Sequence, residues 1–268
     1  MAAANPLDSR TIADFGEQWG IFTENAGYYG SLACLADIVG PLLDIGEFAG
    51  SRIADIGSGS GRIVNMLLDA NAAQVIAVEP SDAFAVLEQN TCYRADRVQL
   101  IRGTGDTLPP SEDLDYVLSI GVLHHVVDPA PIVRAARAAL RPGGRLVVWL
   151  YAREGNELYL RLVTPLRTVT KRLPHSLLMG AVYPLSLLCD FYGLLCRMLP
   201  LPMRDYFRNH LRNLTAAQRR LTIYDQLNPA YAKYYRREEA YQLLAANGFT
   251  QVQLYNRHRY SWTVAGTK

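Results

Sequence analysis

A chain of 268 residues holds one generous α/β domain with an elaboration, or two small domains. Half of the residues are hydrophobic and 19% are charged, an ordinary globular balance that argues against disorder. With a net charge of only +2, the chain as a whole is no electrostatic binder of nucleic acid. Its four cysteines (Cys34, Cys92, Cys189, Cys196) are scattered, with no CxxC pair and no His/Cys cluster at ligand spacing, so no metal site is expected.

The opening MAAANPLDSRTIADFGEQWG lacks a basic region followed by an apolar run and does not read as a secretory signal; with the isolated cysteines, this points to a cytoplasmic protein. Residues 1–49 carry no strand pattern and read as an aromatic and helical cap, with a helix from about Tyr29 to Leu43. From Arg52 strands and helices alternate. RIADIG, QVIAVEP, RVQLIRG, LDYVLSIG and GRLVVWLY have the shape of buried parallel strands. GRIVNMLLDAN, SDAFAVLEQNT (with Ser81 as N-cap) and PAPIVRAARAALRPGG read as the helices between them. Residues 50–152 therefore form the core unit. Residues 153–235 are rich in leucine, proline and arginine, and form a helical insert after the fifth strand. Residues 236–268 return with a helix and two strand-like runs, TQVQLYNR and RYSWTVAG, too close together for a parallel crossover. The expected fold is a doubly wound, Rossmann-like sheet of seven strands with the last one antiparallel.

Open α/β sheets bind ligands beyond the carboxyl ends of their strands. There the chain reads Asp55-Ile56-Gly57-Ser58-Gly59-Ser60-Gly61. Alternate glycines allow a tight turn and close ligand approach. The next helix offers N–H groups to a carboxylate, and Asp55 can attract an ammonium. Those two charges suit an amino-acid-like ligand better than a pyrophosphate. Glu79, ending the second strand, is placed for a ribose diol. Arg62 stands where a dinucleotide fold needs its third glycine, which disfavours NAD.

This order of motifs resembles the class I S-adenosylmethionine-dependent methyltransferases, strongly over about residues 50–151 and more loosely over 236–266. The resemblance implies that Asp55, Gly57, Ser58, Gly59 and Gly61 hold the methionine moiety of S-adenosyl-L-methionine. It assigns Glu79 to the ribose, and Pro80 and Ser81 to the flanks of the adenine. RGTGDTLPP resembles the family's GDAExLP segment but has Thr104 at the usual aspartate position and Asp106 two places later, so Asp106, or the backbone of Thr104 or Gly105, would meet the adenine. The stretch Ser119 to His125, with Gly121 at its turn, is similar to the VLHHV segment of small-molecule members. His124, nearer the strand end, is the first candidate for a general base, with His125 as a loop cap or packing residue. Tyr28 and Tyr29, with Phe15, Trp19 and Phe22, are candidates to face the sulfonium by cation–π attraction.

In the insert, Leu178, Ala181, Leu185, Leu188, Tyr192, Leu195 and Leu199 recur at helical spacing and predict a core stripe or a homodimer contact. Flanking arginines leave a membrane-surface role open. The function expected is methylation of a small molecule in secondary metabolism or in cell-surface or lipid biosynthesis, with no nucleic-acid partner. Two alternatives stand beside it. One is intramolecular cyclisation of the cofactor releasing methylthioadenosine, and the other is a non-catalytic cofactor-binding partner protein.

Overall fold

Apolar runs that must bury both faces become parallel strands, and the computed structural model, which describes residues 5–170 and 173–268, has five of them in the sheet's parallel part. These are β1 (Arg52–Ile56), β2 (Gln74–Glu79), β3 (Val98–Arg102), β4 (Leu114–Ile120) and β5 (Leu140–Tyr151). The chain closes with β6 (Thr250–Arg257) and β7 (Ser261–Thr267), joined by a tight turn in which His258 and Arg259 have positive φ. The order is β3-β2-β1-β4-β5-β7-β6, with β7 antiparallel to both neighbours. The sheet is the seven-stranded, Rossmann-like architecture expected from the sequence, and its strand order reverses between β1 and β4.

Two apolar cores flank the sheet. On one face pack α2 (Leu32–Val39), α3 (Arg62–Asp69) and Leu87 of α4 (Phe84–Thr91). On the other pack α5 (Ala130–Ala139) and α10 (Arg237–Ala245). A third, smaller cluster joins two helices of the insert, with Leu178 and Val182 against Tyr224 and Leu227. The insert comprises α6 (Glu157–Thr170), α7 (His175–Met198), α8 (Arg204–Asn209) and α9 (Ala216–Leu227). Its two ends meet: Tyr235 N–H donates to the Tyr151 carbonyl and Arg153 N–H to the Tyr235 carbonyl.

Three expectations change. The N-terminal cap begins with a helix that the sequence did not indicate, α1 (Pro6–Ile21), capped by Asn5, whose side chain accepts from Leu7 N–H. Its buried residues are Thr11, Gly16 and Gln18, so no hydrophobic period announces it. The helix placed at Tyr29 to Leu43 is a 3-10 turn at Gly27–Gly30, then α2, then a second 3-10 turn at Gly40–Leu42. Ser81 does not cap α4; the helix starts at Phe84, and the Ser81 hydroxyl instead donates to Glu79 and accepts from Ala83 N–H.

The insert stripe is also rotated. Leu178 is buried, but so are Val182, Ser186 and Cys196, while Leu188 and Leu199 are 64% and 48% exposed. Both sides of α7 are apolar, so spacing alone could not tell which one the protein covers.

Candidate active site

Parallel pairing brings the carboxyl ends of β1, β2 and β4 to one level, with Ile56 opposite Val78 and Asp55 opposite Leu118. The chain leaves β1 through three glycines of positive φ, Gly57 (75°), Gly59 (53°) and Gly61 (81°). At Gly57 the need is steric as well as torsional: a Cβ would lie 2.4 Å from Val122 Cγ2. Gly59 N–H donates to Glu79 Oε2 at 2.8 Å, so the acid at the end of β2 braces the turn. Glu79 Oε1 accepts from Ser81 N–H at 2.9 Å. Asp55 is 1% exposed and its Oδ2 has no hydrogen-bond partner; burial pushes its carboxyl up to about 7. An unpartnered acid oxygen and a Cβ-free cradle are what an ammonium-bearing ligand would use.

Helix α1 lies across this turn. Trp19 Nε1 stands 3.0 Å from the position a Gly59 Cβ would take, and a Cβ at Gly16 would lie 3.2 Å from Asp82 N and 3.3 Å from Ser81 Cβ. Asn25 donates to the Ser60 carbonyl at 3.0 Å and accepts from the Ser60 hydroxyl at 2.9 Å. The far side of α1 is tied to the insert, since Gln18 donates to Asp225 Oδ1 at 3.0 Å. Between cap, sheet and insert lies a cavity of about 2010 Å³.

Of the residues proposed for the cofactor, Gly57, Glu79, Pro80, Thr104, Asp106 and Gly121 line this cavity. Asp55, Ser58, Gly59, Gly61 and Gly105 stand behind that wall. Gly105 is packed away: a Cβ there would lie 2.5 Å from Ile56 Cγ2. Thr104 and Asp106 are exposed at the rim, so the adenine assignment remains shared between them. Tyr29 lines the cavity, with the Arg62 guanidinium stacked 4.3 Å over its ring. Tyr28 does not line it; its hydroxyl faces Asp37 at 3.4 Å. The sequence treated Arg62 only as an obstacle to a dinucleotide, yet it is a cavity cation.

The two histidines differ in their access to the cavity. His124 is fully buried, and neither ring nitrogen has a hydrogen-bond partner; burial and the neighbouring His125 hold its pKa well below the usual range. Its ring lies against Tyr151, centroids 3.8 Å apart and tilted by 34°, and it does not line the cavity. His125 is the one that lines the cavity, wedged against Phe15 of α1 at 4.8 Å. Its Nδ1 lies 2.8 Å from the Tyr231 carbonyl, which can only accept. That bond fixes the proton on Nδ1 and leaves Nε2 as the basic nitrogen. Burial pushes its pKa down to about 4, opposed by the nearby Asp225.

Around His125 runs a polar network. Tyr151 donates to Asp225 Oδ2 at 2.8 Å, and Gln226 donates to Tyr151 Oη at 2.7 Å. Tyr159 and Tyr234 both donate to Gln226 Oε1, at 2.8 and 3.0 Å. Trp149, another lining residue, keeps a buried Nε1–H without a partner. Asp225, Gln226 and Tyr234 lie in one tyrosine-rich stretch, residues 222–240, while Trp149 and Tyr151 come from the end of β5.

Known proteins share part of this sequence and its fold. Residues 54–148 match the family model described as "Methyltransferase domain". The tRNA U34 carboxymethyltransferase of Idiomarina loihiensis is 30% identical over 124 residues, 44% of this chain and 38% of that protein. The 27-O-demethylrifamycin SV methyltransferase of Amycolatopsis mediterranei is 34% identical over 104 residues, 37% of this chain and 38% of that protein. The chain thus spans under two fifths of the length of these curated relatives. Among solved structures, the pyocyanin biosynthetic protein PhzM aligns with a TM-score of 0.53 at 18% identity, covering 88% of this chain and 55% of its own. Human N-acetylserotonin methyltransferase, solved in complex with S-adenosylmethionine, aligns with a TM-score of 0.51 at 12% identity, covering 97% and 56%. The fold is that of the class I S-adenosylmethionine-dependent methyltransferases. Residues 54–148 are the part of the chain that matches the methyltransferase-domain model.

Proposed function

We propose that the protein transfers a methyl group from S-adenosylmethionine to a small, largely apolar acceptor held beneath the helical insert. When bound, the cofactor supplies an electrophilic methyl on a positively charged sulfur. Asp55 and the N–H groups after the glycine turn answer the two charges of the methionine moiety. Glu79 keeps acceptor capacity for the ribose hydroxyls beyond the bonds it already makes. Pro80, Thr104 and Asp106 border the adenine. His125 Nε2, held neutral and oriented by Tyr231, takes the proton that an acceptor hydroxyl or amine must shed. Trp149 Nε1–H is a donor for the acceptor's own oxygen. Positioning of this kind is worth roughly 7–11 kcal/mol of a barrier, so base catalysis adds to a reaction that confinement already favours.

The observation that carries the reading is that one cavity joins the Gly57–Glu79 wall to a histidine with a free, basic Nε2. Leu158, Leu162, Val163 and Leu185 line its far end, which suits a small apolar acceptor rather than a phosphodiester chain. A cytoplasmic setting is consistent with four cysteines that are all unpaired. The test is incubation with methyl-labelled S-adenosylmethionine and either total tRNA or a metabolite extract. The expected result is adenosylhomocysteine together with label in an extract component. Label in tRNA would refute the acceptor class; methylthioadenosine as product would refute methyl transfer.

A further inference from the structure

We propose that the outer apolar face of α6 and α7 seats on an anionic lipid surface, and that the acceptor is an amphiphile passing from that surface into the cavity. The acceptor half of this proposal rests on the methyltransferase reading above; the docking half does not.

Helix α7 is apolar over Ser176–Met198, with mean hydropathy 1.5, a value typical of core or membrane helices. A core helix would be mostly covered, yet only 17% of this window is buried. Leu187, Phe191 and Met198 are 71%, 61% and 78% exposed. Helix α6 adds Leu158, Leu162, Leu166 and Val169, which recur at steps of four and three and are all exposed. Monomeric soluble proteins rarely leave so continuous an apolar patch against water.

The same helices are not free to span a bilayer. The inner side of α7 packs Leu178 and Val182 onto α9, and Asp190 is paired with Arg219 at 2.7 Å. One side is committed to protein and the other is greasy. A helix so divided lies in the plane of a membrane interface.

Charge selects the surface. Residues 157–222 hold ten Lys and Arg against three acids, while the whole chain is only +2. Arg161, Arg197, Arg208 and Arg212 are exposed and form no ion pair among the described residues. Each basic residue near an anionic leaflet adds attraction.

The face is also the cavity's mouth. Leu158, Leu162, Leu188 and Phe191 are both exposed and cavity-lining. At about 2010 Å³ the cavity exceeds the 300–1,000 Å³ usual for a drug-sized ligand, leaving room for an apolar chain beside a cofactor. An amphiphile could thus enter tail or head first without crossing water.

The experiment is sedimentation of the full chain with vesicles of phosphatidylcholine alone, or with about one third phosphatidylglycerol. Binding is expected on the anionic vesicles and should weaken with salt. The double variant L187S/M198S alters two exposed side chains outside the cavity wall; it should lower the vesicle partition by at least roughly tenfold while cofactor affinity, read by calorimetry, is unchanged. No binding to anionic vesicles by a protein that still binds cofactor would overturn the docking. So would a solution dimer, seen by ultracentrifugation, that this variant splits. For the acceptor, methyl-labelled cofactor and vesicles of total lipid extract should place label in the organic phase; label confined to water-soluble product would overturn that half. Failure to bind the cofactor at all would instead sink the methyltransferase reading, and vesicle sedimentation would still decide the docking.

Discussion

The sheet and the insert bury apolar side chains by opposite rules. Along β1, β2 and β4 nearly every residue is covered on both sides, and two buried acids, Asp55 and Glu79, lie near the carboxyl ends of β1 and β2. The insert instead covers one side of each helix and leaves large apolar residues outside, from Leu158 and Leu162 to Leu187 and Met198. A core that hides everything gives a rigid platform for a cofactor. A lid that hides half of itself is held by polar ties, among them Gln18 to Asp225, Tyr159 to Gln226 and Arg167 to the Gln226 carbonyl at 2.8 Å. The contrast can be broken at specific residues.

The largest effect is expected at the seam between the two regions. His125→Asn removes the basic Nε2 and should cut the methylation rate by about 10²–10⁴-fold with cofactor affinity nearly unchanged, as read by single-turnover kinetics and calorimetry. His124→Asn should leave a far smaller rate effect. Equal losses would return the base to His124. The pH response follows from the same burial. His125 and His210, pushed down to about 4 and about 3, and His124, also lowered, are neutral in the folded protein. The unfolded chain takes up protons near pH 6.5, so stability is complete above that value and is lost as the pH falls toward 4. A thermal-unfolding midpoint that stays flat between pH 7 and pH 4.5 would contradict the burial of these rings.

Next comes the buried ion pair that anchors the β6–β7 hairpin to α2. Arg257 is 2% exposed and donates to Asp37 Oδ2, while His258 meets Asp37 Oδ1 at 2.8 Å. Asp37→Ala leaves an uncompensated buried guanidinium and should cost about 3–5 kcal/mol in chemical denaturation. Leu67→Ala in α3, fully buried, should cost about 2–5 kcal/mol by leaving a cavity. Leu187→Ala on the insert should stay within about 0.5 kcal/mol. If the insert variant proved as costly as the core one, the two rules of burial would be one.

That difference also explains what could be read from the chain. The strands and the helices between them were legible because a doubly buried sheet demands apolar runs, and because Gly57, Gly59 and Gly61 mark a turn that few other residues tolerate. The antiparallel β6–β7 pair followed from too short a connection. Helix α1 escaped because its inward positions are Thr11, Gly16 and Gln18, chosen for close approach and hydrogen bonding; its Asn5–Pro6 start was the available signal. That His125 rather than His124 lines the cavity was not legible, because the 3-10 turn at Leu123–His125 sets which ring faces it, and a sequence does not reveal that phase. In α7 both sides are apolar, so periodicity had no contrast to read.

A separate effect, on binding rather than on rate or stability, is expected at Asp55. Burial places its carboxyl at about 7, so the empty protein at pH 6 carries it largely protonated. An ammonium beside Oδ2 favours the carboxylate, so binding must expel that proton. Affinity for S-adenosylmethionine should therefore rise by roughly tenfold from pH 6 to pH 8 and level off above. The sign for stability is the reverse: a raised acid favours the folded state while protonated, and that advantage is lost as the pH climbs from about 4 through 7. Calorimetry at pH 6 in two buffers of different ionisation enthalpy should reveal the released proton, and Asp55→Asn should abolish both the release and the pH slope. A slope that survives in Asp55→Asn would move the ammonium to another partner and leave Asp55 as a brace for the glycine turn.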